Sequence, residues 1–280
     1  MKKLFYIFIF IASSLFSSAQ QHELGLMGGT TYYIGDINPA GHFRQIMPAG
    51  GLMYRYNMNY RMALRAHLLC GGLKADDKVI KYYEERNLSF RSDLLELGTQ
   101  FELSYFKFKI GSYNDGFTPY LFVGASAFYF NPRTLYDGEW EKLRPLGTEG
   151  QGTDAYPDRK KYSLISFAVP FGMGVKFCVG SSFVLGIEWG MRKTITDYID
   201  DVSTTYVDPN ILIQENSELS AILADRSSNV ENKTNYQRGN SYNKDWYSFA
   251  GITLSFKFAG EGSECYSFGN NFTQKKKTRR

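Results

Sequence analysis

The 280-residue sequence has few of the residues from which covalent frameworks and metal centres are built. It contains 3 Cys and 3 His, with no CxxC pair and no His pair at metal-ligand spacing, which excludes a disulfide framework and the familiar zinc sites. It also lacks a Walker loop and the GxSxG and HExxH motifs, which excludes the enzyme classes that depend on them. We therefore expect a protein without a cofactor.

Long apolar runs are missing everywhere except at the beginning of the chain. Lys2 and Lys3 precede an apolar run over residues 4–12, and the small residues at 17–19 suit a cleavage site. This pattern predicts a signal peptide over residues 1–19, with an uncleaved anchor as the alternative. After the leader no stretch approaches 18 apolar residues, so any crossing of a membrane must be made by β-strands.

The chain also lacks a basic excess in its body, although its formal net charge is +4. Seven of the 32 basic residues lie at the two ends, which leaves 25 basic against 28 acidic residues, a net charge of −3 for the body. A nucleic-acid-binding domain would carry its basic excess on the folded part, so this partner is not expected. The charge distribution divides the chain into a leader over 1–19, one domain over 20–259 and a basic tail over 260–280.

Aromatic residues and glycine, in contrast, are abundant. Phe, Tyr and Trp make up 16% of the chain and Gly contributes 27 residues, which is typical of a β-rich protein. Alternation of apolar and polar residues predicts eight long strands, near 22–35, 48–57, 59–71, 89–106, 118–130, 162–179, 183–198 and 246–258. Most of them exceed the roughly 9–11 residues that a strand needs to cross a membrane.

The alternation has one apolar face and one small or charged face. Over residues 165–177, large apolar side chains occupy every second position, opposite Ser, Ala, Gly and Lys. This pattern fits lipid outside and a polar lumen inside. The charged residues assigned to the lumen are Arg55, Arg61, Arg65, His67, Glu96, Glu102, Lys176, Glu188, Arg192 and Lys257. Because buried charges must be paired, a charge network that plugs the barrel is the favoured interpretation, beside a catalytic or ion-conducting site.

Short and long connections alternate between the predicted strands. The short ones lie at 57–59, at about 107–117 and at 180–182, whereas those over 36–47, 72–88, 131–161 and 199–245 are long. We therefore predict an all-β fold, an eight-stranded antiparallel transmembrane β-barrel with short periplasmic turns and long extracellular loops. The expected location is the outer membrane of a Gram-negative bacterium, with both termini periplasmic. The last loop is predicted to contain a short amphipathic helix over 210–225.

Two further features of the sequence have alternative explanations. Asp197, Asp200 and Asp201 are weak candidates for a Ca²⁺ site, and a solvated loop is the simpler explanation. Cys70 is expected to face lipid near the loops, and Cys178 to face the lumen near the short turns, which is too far for a disulfide. Cys178 and Cys265 lie towards the same end, so that either a disulfide between them or a free Cys265 remains open.

Several segments, in this order, match a known family. The chain resembles the PorG-like outer-membrane barrels of the type IX secretion system, to about residue 258. The matching segments are 23–25 (ELG), 33–36 (YIGD), 88–92 (LSFRS), 118–124 (TPYLFVG), 130–132 (FNP), 170–176 (PFGMGVK), 188–193 (EWGMRK) and 196–203 (TDYIDDVS).

This resemblance implies a non-enzymatic barrel that attaches to a periplasmic ring of a PorK lipoprotein and PorN, in a system that exports proteins and supports gliding motility in some bacteria. The partners would be these ring proteins and outer-membrane lipid. A small-solute channel and an outer-membrane hydrolase that uses His67 are the alternatives. Candidate partner-binding residues lie in the periplasmic turns and in the tail: Asn57, Asn59, Ser181, Ser182, Cys265, Lys275, Lys276, Lys277, Arg279 and Arg280.

Overall fold

A computed structural model describes residues 21–228 and 232–259 of the chain. Eight long strands form its frame: β1 (Gln21–Ile34), β2 (Met47–Asn57), β3 (Met62–Asp76), β4 (Ser89–Ser104), β5 (Phe117–Tyr136), β7 (Ile165–Val179), β8 (Phe183–Thr194) and β9 (Trp246–Ala259). All eight predicted strands are thus confirmed. The leader over 1–19 and the tail over 260–280, with Cys265 and the five basic residues that end the chain, lie outside the described residues.

The eight strands close into an antiparallel barrel. Their order is β4-β3-β2-β1-β9-β8-β7-β5, and an additional pairing of β4 with β5 completes the ring. At this closure Leu97 faces Ala127 and Leu103 faces Leu121. A closed sheet has no edge, so every strand finds hydrogen-bond partners on both sides, as a hydrocarbon environment requires.

Side chains alternate between the two faces of the barrel as predicted. On β4, exposed and buried residues alternate without interruption, so that Leu95, Leu97 and Leu103 point outward while Glu96 and Glu102 are buried. The outward residues of the other long strands are likewise mostly large and apolar. A soluble monomer rarely exposes so continuous an apolar surface, whereas a transmembrane barrel presents such a band to lipid.

Two glycines, Gly172 and Gly190, allow a large aromatic ring to pack inside the barrel. The ring of Phe122 lies across Gly190, where an added Cβ would come within 2.5 Å of its Cζ atom. Gly172 is in contact with the same ring, at 2.7 Å from an added Cβ. The glycines on the inner face of β7 and β8 therefore make room for a large aromatic residue from β5.

The two ends of the barrel differ. At the turn end, which also contains the first and last described residues, β2–β3, β4–β5 and β7–β8 are joined by residues 58–61, 105–116 and 180–182. At the loop end, β6 (Glu139–Lys142) forms a hairpin with β5, and the remaining connections contain a 3₁₀ turn (Glu84–Arg86) and the helices α1 (Asp77–Ile80), α2 (Leu143–Leu146), α3 (Pro209–Glu215) and α4 (Glu218–Ala224). In the described part of the chain, no helix is long and apolar enough to cross a membrane.

Two differences from the prediction at the loop end have a clear local cause. Strand β5 continues beyond residue 130 to Tyr136 and turns at Asp137 and Gly138, both with positive φ, into β6. An Asp-Gly pair is the usual signal for such a hairpin, so the sequence carried the information. The single helix predicted over 210–225 is two helices, because Ser217 is extended and caps α4 by accepting a hydrogen bond from the amide of Ser220.

Candidate functional site in the filled barrel interior

A network of three acidic and three basic side chains crosses the turn-end half of the barrel. Glu102 lies at its centre, with Oε2 3.0 Å from Arg55 Nε and 3.2 Å from Lys176 Nζ. Arg55 also pairs with Glu23 at 2.8 Å, and Arg65 pairs with Glu188 at 2.5 Å and with Glu102 at 3.4 Å. Each of the six is at most 2% exposed. The formal charges cancel, which allows these residues to be buried.

A second, smaller group lies towards the loop end. Glu96 accepts hydrogen bonds from the hydroxyl of Tyr247 at 2.9 Å and from Arg192 Nε at 3.3 Å, and its other oxygen lies 2.8 Å from His67 Nε2. Ser126 lies across Gly98 from the His67 ring. However, neither its hydroxyl nor His67 Nδ1 has a hydrogen-bond partner in the described structure, and both residues are buried. The arrangement therefore lacks the hydroxyl–imidazole contact of an activated nucleophile.

Two residues that were predicted to join the charge network in the lumen, Arg61 and Lys257, lie outside it. One member of the network, Glu23, was not predicted. Arg61 is exposed, because it lies in the turn before Met62, where β3 begins, and not within the strand. Lys257 points inward but is only half buried, and its Nζ makes no hydrogen bond to any described residue. Glu23 was missed, although it lies within the first predicted strand and faces the side opposite to the outward Leu24 and Leu26.

Both ends of the interior are closed by side chains. At the turn end, Phe108 and Ile110 of the 105–116 connection are buried against Val184 and Cys178. The Phe108 ring also covers Lys176 Nζ at 5.0 Å. At the loop end, strand residues and loop residues form one apolar cluster, whose members include Tyr33, Phe90, Phe130, Leu88, Leu143, Tyr162, Ile199, Val202 and Leu223. The interior is therefore a packed core and not a passage.

The three candidate metal ligands of the last loop, Asp197, Asp200 and Asp201, are buried in this cap and not solvated. Asp201 accepts hydrogen bonds from the hydroxyls of Thr148 at 2.5 Å and Tyr162 at 2.6 Å. Asp197 accepts one from Ser203 at 2.7 Å. Burial raises the pKa of Asp197 to about 7. Burial also raises the pKa of Asp201 to about 6, and the charge of Arg238 offsets part of that rise. Among the described residues, no three acidic, His or Cys side chains are placed to hold a metal ion together.

The hydroxyl of Tyr33 joins two further carboxyl groups in the cap. It lies 2.7 Å from Asp200 Oδ2 and 2.6 Å from Asp245 Oδ1. A phenol has one proton to donate, so it must accept a hydrogen bond from one of the two groups, which is then protonated. Burial and the neighbouring carboxylates raise the pKa of both Asp200 and Asp245 well above its usual range. This pair was not foreseen, because its members come from opposite ends of the last loop.

The predicted partner-binding residues of the turns differ in accessibility. Asn57 is only 9% exposed, because its amide donates to Glu23 Oε1 at 2.6 Å. Asn59 is exposed and its side chain caps the turn by accepting from the amides of Arg61 and Met62. Ser181 and Ser182 are half buried. Cys70 is exposed on the outer face, whereas Cys178 packs against the turn-end plug, and the two do not pair with each other. A disulfide between Cys178 and Cys265 stays a prediction, because Cys265 lies outside the described residues.

Fold and interior together define a small closed transmembrane β-barrel, of the outer-membrane type, whose interior is filled. Residues 2–210 match the family described as "Domain of unknown function (DUF6089)", and the chain belongs to this family. No curated protein matches.

Several solved structures have a similar fold, at about 10% sequence identity to this chain. They include the outer membrane protein OprG from Pseudomonas aeruginosa (10% identity, 87% of this chain and 99% of that chain, TM-score 0.42). Neisserial surface protein A matches at 10% identity, with 85% of this chain, 97% of that chain and a TM-score of 0.40. Ail, the attachment invasion locus protein of Yersinia pestis, matches at 10% identity, with 86% of this chain, 99% of that chain and a TM-score of 0.36. These similarities concern the barrel fold and carry no information on function.

Proposed function

We propose that this protein is a non-catalytic outer-membrane barrel that connects the periplasmic ring of the type IX secretion machinery to the membrane. The turn end and both termini would face the periplasm, and the partners would be a PorK-like lipoprotein and its associated PorN-like ring protein. The resemblance to PorG-like barrels suggests this assembly. The observation that carries the proposal is the packed interior, in which Arg55, Arg65 and Lys176 are buried in ion pairs. A barrel without a passage acts through its outer surfaces.

The turn end offers a surface suited to a protein partner. The 105–116 connection presents two aromatic rings outward, Tyr105 at 72% exposure and Tyr113 at 79% exposure. The exposed Asn59 and the half-buried Ser181 lie in the neighbouring turns. Aromatic residues are enriched in protein interfaces relative to the remaining surface. The plug formed by Phe108 and Ile110 holds this connection against the barrel, so that a partner would meet a fixed surface.

Site-specific photo-crosslinking in cells tests the proposal. A photoreactive residue would replace Asn59 or Ser181 at the turn end, and matched controls would replace Tyr242 at the loop end, which is 96% exposed, and Leu97 on the lipid face, which is 64% exposed. We expect the two turn-end positions to crosslink to a periplasmic lipoprotein identified by mass spectrometry. The loop-end and lipid-face controls should not. Absence of any periplasmic adduct at the turn end, together with normal protein secretion after deletion of the gene, would refute the proposal.

The two alternatives have less support. A small-solute channel would need a water-filled path, whereas buried ion pairs and aromatic rings fill the lumen. Purified protein in a planar bilayer should therefore be electrically silent, and steady conductance would favour the channel. A hydrolase would need an accessible nucleophile, and the Ser126 beside His67 is only 5% exposed. Replacement of Ser126 by Ala should leave the secretion phenotype unchanged, because its hydroxyl makes no hydrogen bond to a described residue.

A further inference from the structure

Four basic residues stand side by side across four neighbouring strands at the loop end. Lys74 on β3 faces Arg91 on β4, Arg91 faces Arg133 on β5, and Arg133 faces Lys142 on β6. Directly opposed residues share one face of a sheet, and on these strands the face is the outer one. We refer to these four residues as the cation ladder. Like charges directly opposite one another are destabilising in a sheet, so the arrangement is unfavourable unless something neutralises it.

The described residues supply little of that neutralisation. Arg133 pairs with Asp93 at 3.2 Å, and both side chains are exposed, at 37% and 63%. Arg133 Nε makes no hydrogen bond to any residue that the structure describes. Within residues 21–228 and 232–259, Lys74, Arg91 and Lys142 form no ion pair, and Arg91 is held only against the ring of Trp140, at 5.7 Å from its centroid. Arg91, Asp93, Arg133 and Trp140 line a hollow of about 240 Å³.

The basic character continues next to this hollow. A second hollow of about 450 Å³ is lined by Arg91 together with Lys74, Lys78 and Arg226. Arg226 is fixed there, because its Nη1 donates to Thr134 Oγ1 at 2.9 Å and to Ser89 Oγ at 3.3 Å. Among the residues that line this second hollow, Asp76 is the one with an acidic side chain. Cations therefore clearly outnumber acidic groups around the two hollows, and both suit ligands with several negative charges.

The position of the cation ladder favours a ligand that is part of the membrane. The outer face of these strands is apolar up to the row formed by Cys70, Leu95 and Tyr129. The ladder follows four residues further along each strand, or about 13 Å at roughly 3.3 Å per residue. Long basic side chains at this level extend along the wall of the barrel into the head-group layer.

We infer that the cation ladder binds the phosphate groups of a lipid A-type glycolipid in the leaflet that surrounds the loop end. Arg133 and Arg91 would bind phosphate oxygens through their guanidinium groups, a geometry that suits phosphate. Lys74 and Lys142 would contribute charge on either side. This inference rests on the proposed orientation, with the loops outside, but not on attachment to a secretion ring. A soluble phosphate anion would compete for the same charges and is distinguished by the test.

Native mass spectrometry of the full-length barrel in neutral detergent tests the inference. The probes are diphosphoryl lipid A, its dephosphorylated counterpart and inorganic phosphate. The ladder variant carries Lys74→Gln, Arg91→Gln, Arg133→Gln and Lys142→Gln. The control variant removes four exposed cations elsewhere, through Lys81→Gln, Lys107→Gln, Lys109→Gln and Lys160→Gln. Both variants lose the same charge, so that a difference between them reports position and not net charge.

We expect one or two molecules of diphosphoryl lipid A on the wild-type barrel and on the control variant, with at least a tenfold weaker apparent affinity for the ladder variant. The dephosphorylated lipid should bind all three proteins equally weakly. Equal binding of lipid A by the ladder variant, or displacement of lipid A by an equal concentration of inorganic phosphate, would overturn the inference.

A second measurement guards against a folding defect. Because removal of opposed like charges relieves repulsion, the ladder variant without lipid should resist heat in a gel-shift assay at least as well as the wild type. Lipid A should raise the heat resistance of the wild type and not of the ladder variant. A ladder variant that gains as much heat resistance from lipid A as the wild type would contradict the inference, whatever its contact with periplasmic proteins.

Discussion

The carboxylate of Glu102 lies 3.0 Å from the guanidinium of Arg55, in the interior of a barrel whose outer wall is apolar. Each side chain is at most 1% exposed. A buried ion pair adds little to the free energy of unfolding compared with an apolar pair of the same size. The loss of one member, however, leaves a buried charge without a partner. The ion pairs therefore make this interior intolerant of single changes of charge.

Replacement of Glu102 by Gln should destabilise the barrel strongly. Arg55, Arg65 and Lys176 would lose a shared anion, at a cost of about 3–5 kcal/mol in the free energy of unfolding. Urea unfolding in detergent micelles, followed by tryptophan fluorescence, measures this change. Glu85→Gln, in the exposed 3₁₀ turn, removes the same charge and should alter the free energy of unfolding by less than about 0.5 kcal/mol. Equal stability of the two variants would contradict the network.

The loop-end cap should become less stable as the pH rises. The pKa values of Asp200 and Asp245 are raised in the folded cap, and that of Asp197 is raised to about 7. The cap therefore binds protons more tightly than an unfolded loop, in which an Asp titrates near 3.8. Its stabilisation by these groups is complete below that value and is lost as the pH rises through the raised pKa values.

Hydrogen exchange between pH 5 and pH 9 measures this dependence. After correction for the intrinsic exchange rate, amide protection over residues 197–204 should fall with rising pH. Asp200→Asn and Asp197→Asn mimic the protonated side chains and should make the dependence shallower. Asp158→Asn, at an exposed position, should leave it unchanged. Protection that rises with pH would show that these groups are ionised in the folded cap.

The contact between Gly190 and Phe122 predicts a specific steric effect. Gly190→Ala places a Cβ 2.5 Å from the Phe122 ring and should cost about 1–3 kcal/mol. Gly28→Ala is the matched control, because nothing lies within 4 Å of its added Cβ. Urea unfolding of the two variants should differ accordingly, and Phe122→Leu in the Gly190→Ala background should recover part of the loss. A destabilised Gly28→Ala barrel would point to backbone effects of glycine instead.

Strands were predictable from the sequence because strict alternation over more than nine residues excludes other structures. The charged interior could be predicted in kind for the same reason, since Arg55, Arg65, Glu96 and Glu102 fall on one face of their strands. Boundaries were less predictable. Arg61 shares the parity of Arg65 but lies just before β3 begins, and parity alone does not show where pairing starts.

The cap could not be predicted, because its contacts have no local pattern. Asp201 meets Thr148 and Tyr162 from another loop, and Asp200 meets Tyr33 from the first strand. Tyr33 and Asp200 are 167 residues apart in the sequence, and Thr148 and Asp201 are 53 apart. Such distant residues meet because the barrel closes and each loop folds over its end. Residues that look like a solvated acidic segment are thus buried by partners that the sequence does not place beside them.

A charge on the outer wall distinguishes a lipid-facing barrel from a soluble one. Leu97 is 64% exposed near the middle of β4, so a soluble barrel would accept Leu97→Arg without cost. In a bilayer the same change should cost about 2–4 kcal/mol, because the guanidinium would meet hydrocarbon. Folding equilibria in phosphatidylcholine vesicles measure the difference, with Tyr242→Arg at the exposed loop end as the control. Leu103→Arg, nearer the turn end of the same strand, should cost less because it lies closer to the membrane interface. Equal tolerance of all three substitutions would mean that the apolar wall does not face lipid.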